Sequence, residues 1–258
     1  MVSLLQSAFL GLIQGVTEFL PISSTTHLLL FEKLIGFESS PGKSFEIIAQ
    51  FGSGLAILCV FFERLFRRTD ERRGRLLSLL CLATIPVALI GLTFHHAIKA
   101  YLYTPTVIAL SLIIGGIFFL LIETLSQANK NSQTSNISIK QAGGVGICQI
   151  LALIPGVSRS GSTVASGLFV GMQRRTAVEF SFLLAIPALC GAGIIECITA
   201  YHSPLSGESD ILLVGFTTAF ISSLLVIRPL ITLIEKYGLT PFGWYRIALG
   251  CALFIFQH

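Results

Sequence analysis

Residues 14–28 read Gln14-Gly15-Val16-Thr17-Glu18-Phe19-Leu20-Pro21-Ile22-Ser23-Ser24-Thr25-Thr26-His27-Leu28. Residues 149–163 echo them as Gln149-Ile150-Leu151-Ala152-Leu153-Ile154-Pro155-Gly156-Val157-Ser158-Arg159-Ser160-Gly161-Ser162-Thr163. Each stretch is an apolar run, broken by proline and then crowded with hydroxyls. The first adds a carboxylate (Glu18) and an imidazole (His27), the second a guanidinium (Arg159). In a soluble chain these would be two ordinary polar loops, but the flanks are too apolar for that.

The chain has 258 residues, 53% hydrophobic and 12% charged, with a mean hydropathy of +0.83. Soluble domains carry roughly 25% charged residues. Half that charge, with apolar runs near the length of a bilayer span, describes an integral membrane protein. Residues 1–258 read as a single transmembrane domain, with no room for a separate soluble one. The opening Met1-Val2-Ser3-Leu4-Leu5 lacks a basic region and a small-residue cleavage site, so it reads as part of the mature protein. The six cysteines lie in apolar runs and none forms a Cys-x-x-Cys pair, which argues against a structural metal or a disulfide framework. The net charge of +4 sits mostly in one loop, a matter of topology rather than nucleic-acid binding.

Apolar segments cover 4–31, 45–63, 76–94, 106–125, 142–170, 178–200, 211–234 and 242–258, of which 4–31 and 142–170 are interrupted. Arg64, Arg67, Arg68, Arg72, Arg73 and Arg75 mark the loop after the second segment as cytoplasmic. The linker 126–141 with Lys130 and Lys140, the pair Arg174 and Arg175, and Lys236 belong on the same side. The loop from His95 to Thr104, with only Lys99, and the loop from Tyr201 to Asp210, with Glu208 and no Lys or Arg, belong outside. All these signs agree if the six uninterrupted segments each span once and the two interrupted ones re-enter on their own side.

The expected fold is therefore all-α: six transmembrane helices plus two re-entrant helical hairpins. Repeat one, about 1–125, and repeat two, about 142–258, would be inserted in opposite senses around the linker. Glu46 follows Pro21 by 25 residues and Glu179 follows Pro155 by 24, which supports the repeat. In such inverted repeats the functional site lies where the two broken helices meet. The plainer reading is eight spans with polar kinks, since bilayer helices tolerate proline and hydroxyls. Gly52, Gly54, Gly115 and Gly116 would permit close helix packing, within one chain or across a dimer.

Gln14 and Glu18 are four apart and share a helix face; Ser24 and His27, three apart, can do the same. The hydroxyl clusters after each proline suit helix N-termini, whose free N–H groups and partial positive charge attract anions. Plain readings stand beside each functional one: Glu18 as a structural acid paired with Arg159, His27 as a buried hydrogen-bonding histidine, the hydroxyls as caps. Arg159 resists a plain reading, because a central arginine costs roughly 2.5–3.5 kcal/mol to insert. Arginine and helix N-termini bind phosphate. A serine near a histidine supplies a nucleophile with a base or proton donor, and a carboxylate supplies a base or a metal ligand. The set points to phosphoryl transfer on a lipid with a phosphorylated head group. A transporter or flippase of such a lipid is the alternative, which an inverted repeat suits; a carrier, however, needs no nucleophile. A structural scaffold leaves the arginine unexplained.

At these two motifs the chain resembles the bacterial undecaprenyl-pyrophosphate phosphatase, or bacitracin-resistance, family over essentially its whole length. The resemblance implies a multi-pass enzyme of the bacterial inner membrane that removes the terminal phosphate of undecaprenyl diphosphate. It further implies a homodimer, a requirement for magnesium or calcium, and a site open to the outer side. Carried over by motif position, Glu18, Ser24, His27 and Arg159 are catalytic: Glu18 as the essential acid, Ser24 as nucleophile with His27 as base or proton donor, and Arg159 as diphosphate clamp. Gln14, Ser23, Ser158, Ser160 and Thr163 bind the substrate, and Glu18 with Gln14 holds the metal. Many members have glutamate where this chain has Gln14, so its metal would be held more weakly.

Overall fold

The computed structural model describes residues 3–37, 44–66, 70–128, 136–202 and 209–256. Arg67, Arg68, Lys130 and Glu208, which contribute to the loop-charge reading, lie outside them. The described residues are helical, with no strand. The first half runs α1 (Leu4–Thr17), α2 (Ser24–Ile35), α3 (Ser44–Val60), α4 (Phe62–Phe66), α5 (Asp70–Tyr101) and α6 (Pro105–Ala128). The second runs α7 (Ile139–Gln149), a 3-10 turn (Ile150–Leu153), α8 (Arg159–Phe169), α9 (Arg174–His202), α10 (Ser209–Tyr237) and α11 (Thr240–Ile255).

Four helices are long and apolar enough to cross a bilayer: Glu71–Phe94, Pro105–Ser126, Arg174–Ile198 and Ser209–Tyr237. The two remaining uninterrupted segments form α3, of 17 residues, and α11, of 16. At a rise of 1.5 Å per residue each is about 25 Å long, a little short of the ~30 Å hydrocarbon core. The long helices outrun their apolar segments. α5 continues to Tyr101, which shortens the expected outer loop to residues 102–104.

Both halves open with one local frame. Ser3 caps α1 by accepting the Gln6 N–H, and the Gln6 side chain accepts the Ser3 N–H in return. Ser138 and Gln141 do the same for α7. Gln6 then reaches the Ile35 carbonyl at the end of α2 (2.8 Å), and Gln141 reaches the Val170 carbonyl after α8 (3.2 Å). Ser23 and Ser158 precede α2 and α8 with φ of 72° and 70°, the non-glycine residues of positive φ among those described. Gly36 and Gly171 follow the same two helices with left-handed φ. Every pair (3 and 138, 6 and 141, 23 and 158, 36 and 171) is 135 positions apart. Spacing from the prolines, or from Glu46 and Glu179, misses this register by one or two, because the structural counterparts are the serines.

The packing pairs α1 with α10 and α7 with α5, while α3 lies against α9 and α10, and α6 against α11. The glycines work inside the chain. A Cβ on Gly52 would meet the Phe216 carbonyl of α10 at 2.5 Å, and one on Gly116 the Gly243 carbonyl of α11 at 2.6 Å. The core runs through Phe19, Ile57, Phe119, Phe180, Phe182 and Ile227. Leu89, Leu92, Ile114, Ile195 and Leu225 face outward. On a soluble protein such a surface would be an aggregation liability, but it is what a bilayer solvates. Glu123 of α6 fastens one end of the bundle: it pairs with Arg174 and accepts the Leu239 N–H (3.0 Å) in the α10–α11 turn.

Candidate active site

The two chain breaks, residues 18–23 and 154–158, meet in the interior. Each ends in the positive-φ serine that turns the chain into a new helix. Such backbone costs on the order of 1–3 kcal/mol for a residue with a Cβ and clusters at functional sites. Here it faces the first turns of α2 and α8 toward one cavity of about 160 Å³. The volume corresponds to about five waters, enough for a phosphate-bearing head and far too small for a long hydrocarbon tail. Glu18, Ser23, Ser24, Thr25, Ser158 and Arg159 line it, with Gln50 from α3 and Tyr103 from the α5–α6 turn.

Glu18, at the end of α1, is the hub. Its Oε1 accepts from Arg159 Nη2 at 2.8 Å, and its Oε2 accepts from Ser24 Oγ at 2.7 Å and Gln14 Nε2 at 2.9 Å. Both ionic groups are largely buried, with side-chain exposures of 6% for Glu18 and 16% for Arg159. Arg159 also donates to the Ser181 carbonyl at 3.0 Å. Thr163 shares a 2.6 Å bond with the Ser181 hydroxyl and sits behind the arginine. Ser158 accepts the Gly161 N–H (3.1 Å) and so caps α8, whereas no side chain caps α2, whose first-turn N–H groups remain available to an anion. Burial and the neighbouring Glu46 push the Tyr103 phenol above its ordinary value, so it stays a proton donor at neutral pH.

Of the residues singled out in the sequence, Glu18, Ser23, Ser24, Ser158 and Arg159 line the cavity, and Gln14 touches it through Glu18. Three sit behind it. Ser160 donates to the Leu20 carbonyl (3.0 Å), tying one break to the other. Thr163 buttresses Arg159. His27 is turned away from Ser24: Nδ1 pairs with the Ser23 carbonyl (2.8 Å) and Nε2 with the Tyr245 hydroxyl (2.7 Å). The nucleophile–base pairing of Ser24 with His27 is thus not formed, and Ser24 is held by Glu18 instead. The plain readings of Glu18 and His27 each describe a contact that exists.

The residue missed is Arg246. It is fully buried on α11 and donates to the carbonyls of Val157 (3.0 Å), Gly156 (2.9 Å), Ser111 (3.1 Å) and Pro21 (3.4 Å). Its guanidinium also lies 4.9 Å from the centre of the Phe119 ring. One side chain therefore satisfies carbonyls that both breaks leave without helical partners. Its signal was present in the sequence: an arginine in an apolar segment, subject to the same cost as Arg159.

A divalent cation would find a sparse donor set. Glu18 is the one carboxylate among the lining residues. Among the described residues no group of three or more His, Cys, Asp or Glu could hold a metal. One observation favours a cation all the same: the buried Gln14 Oε1, beside Glu18, has no hydrogen-bond partner. All six cysteines are free.

The family profile for Bacitracin resistance protein BacA matches residues 7–252. The chain is 42% identical to an "Undecaprenyl-diphosphatase 2" of Shewanella oneidensis over 260 residues, covering 97% of each chain. It is 40% identical to an "Undecaprenyl-diphosphatase 2" of Paramagnetospirillum magneticum over 251 residues, covering 96% of each. An "Undecaprenyl-diphosphatase" of Parvibaculum lavamentivorans is 40% identical over 257 residues, with 98% of this chain and 96% of the relative covered.

Proposed function

We infer the activity from kinship and cavity together: the chain belongs to the bacitracin resistance protein family, and it is an undecaprenyl-diphosphate phosphatase. It hydrolyses the terminal phosphoanhydride to give undecaprenyl phosphate and phosphate, which returns the lipid carrier to envelope polymer synthesis. The observation that carries this reading is the convergence of Glu18, Ser24 and Arg159 on one cavity sized for a head group.

Arg159 and the free N–H groups of α2 bind the diphosphate. Arg159 exchanges part of its bond to Glu18 for the phosphoryl oxygens, which frees the carboxylate to act as a base. Ser24 Oγ attacks the terminal phosphorus, its proton passes to Glu18 Oε2, and the bond to the bridging oxygen breaks, releasing undecaprenyl phosphate. Water then attacks the phosphorus of the phosphoserine, the bond to Ser24 Oγ breaks as Glu18 returns its proton to that oxygen, and the water's protons leave with the phosphate. His27, through its bond to the Ser23 carbonyl, keeps the strained turn that aims Ser24. Ser24→Ala should lower phosphate release by at least about a thousandfold. An acid-quenched reaction with terminal-labelled substrate should leave label on wild-type Ser24. A wild type without label, and a Ser24→Ala variant within tenfold of it, would mean direct attack by water.

A bound diphosphate adds more negative charge than one arginine balances, since Glu18 already pairs with Arg159. Magnesium or calcium would be held by Glu18 and Gln14 Oε1, with the substrate's phosphate oxygens supplying most of the other ligands. When bound, the ion would supply charge neutralisation on the leaving phosphate. Chelation should reduce turnover by about a hundredfold or more, with recovery on adding either ion back; full turnover in excess chelator would remove the ion from the reading.

The remaining architecture follows the same reading. Six spans and two re-entrant hairpins form an inverted repeat in the bacterial inner membrane, supported by the frame repeated at 135 positions and by α1 packing on α10 as α7 packs on α5. The site opens to the outer side. Tyr103, in the α5–α6 turn at the end of α5 remote from its arginines, lines the cavity. Two copies assemble as the family implies.

A further inference from the structure

A second cavity, of about 730 Å³, lies at the other end of the bundle. It is formed by Arg64 of α4, by Glu71, Arg72, Arg75, Leu76 and Leu79 of α5, by residues 136–137 ahead of α7, and by the start of α9. Its size falls within the range of small-ligand sites. Along α9, Arg175 lines this cavity and Ala188 lines the catalytic one; at 1.5 Å per residue they are about 20 Å apart. The two pockets are separate.

The charge is unbalanced in one sense. Arg64, Arg72, Arg75 and Arg175 face it, against Glu71 and Glu179. Glu179 is shared by Arg64 and Arg175. Arg64 Nε is nevertheless buried without a partner. Arg75 makes one long bond, 3.3 Å, to the Ile137 carbonyl, and Arg72 pairs with no described residue. The N-terminus of α9, from Gln173 to Thr176, adds backbone N–H groups and its partial positive charge. Leu76 and Leu79 give the cavity an apolar wall, and the exposed Phe62 and Phe66 of α4 stand nearby in sequence. Such a lining suits an anion, and the fork of a guanidinium matches phosphate oxygens best.

We propose that this arginine-lined cavity binds a phosphate group, either the head of an anionic membrane lipid or free phosphate. The catalytic reaction does not require it, so the site gives the protein a phosphate contact on the face opposite its chemistry.

The test uses the full chain in detergent with Arg159→Ala as background, which weakens anion binding in the catalytic cavity. Arg72→Gln and Arg75→Gln are then added together; both residues are exposed, so folding is not at stake. Native mass spectrometry follows dioleoyl phosphatidic acid and dioleoyl phosphatidylcholine, and thermal unfolding follows inorganic phosphate. The expected result is saturable binding to the Arg159→Ala protein that falls at least about tenfold in the triple variant. Phosphatidic acid bound well above both phosphatidylcholine and inorganic phosphate makes a lipid head the occupant. Inorganic phosphate bound as well as phosphatidic acid makes it free phosphate. Binding of both probes within twofold in the two proteins, or saturation by neither, overturns the site. Because the readout is binding, its failure leaves the phosphatase reading standing.

Discussion

Arg159→Ala lowers phosphate release from undecaprenyl diphosphate by about a thousandfold or more, and Arg159→Lys recovers only a small part of it. Two losses combine. The guanidinium is the one cation among the residues lining the catalytic cavity, and an arginine placed on a transferring phosphoryl group is worth about 10³–10⁵ in rate. Its removal also leaves Glu18 buried without its ion partner (2.8 Å in the native protein). The lone carboxylate, buried without a counter-charge, then repels the incoming diphosphate instead of serving Ser24. Lysine restores a charge but not the fork that holds Glu18 and the Ser181 carbonyl at once. The assay compares the three proteins in detergent with magnesium, with a thermal unfolding curve for each to show that it is folded. A variant within tenfold of wild type would remove Arg159 from the chemistry.

Arg246→Met unfolds at a temperature lower by about 10 °C or more, although Arg246 does not line the cavity. Four carbonyls lose their donor together: those of Pro21, Ser111, Gly156 and Val157. A bond from a charged donor contributes about 1.5–3 kcal/mol, and the four are coupled, so about 4 kcal/mol is a conservative total. For a chain of this size each kcal/mol moves the midpoint by about 2–4 °C. Phosphate release falls with it, because Arg246, together with Ser160, holds the two breaks against each other. A thermal melt within 2–3 °C of wild type would show that the carbonyls find other donors, and that the breaks are stable without this side chain.

The sequence discloses the parts of this molecule that depend on local pattern. The two breaks, their hydroxyls, and the pairing of an acid with an arginine across 141 positions follow from the expense of such groups in an apolar run. Span lengths are less legible. Hydropathy marks only the greasy middle of a helix, whereas the hydrogen-bond ladder of α5 continues into polar ends at Asp70 and Tyr101. The two breaks echo one another in the sequence, but the register of the local frame they share does not show there, since proline is the conspicuous residue and the strained serine is the structural one. His27 shows the limit of spacing arguments. Three residues from Ser24 on the same helix, its ring is claimed by Tyr245, 218 positions away.

The strained serines have a consequence for how the reaction divides its labour. Ser24 and Arg159 stand directly after Ser23 and Ser158, at the same place in a local scaffold that the two halves share. Two identical copies of that scaffold could present two nucleophiles or two clamps, but never one of each. Phosphoryl transfer is directional: something attacks from one side while something else steadies the charge. Within a single polypeptide each half sets its side chain at that place independently, so the attack proposed for Ser24 and the clamp proposed for Arg159 come from matching turns.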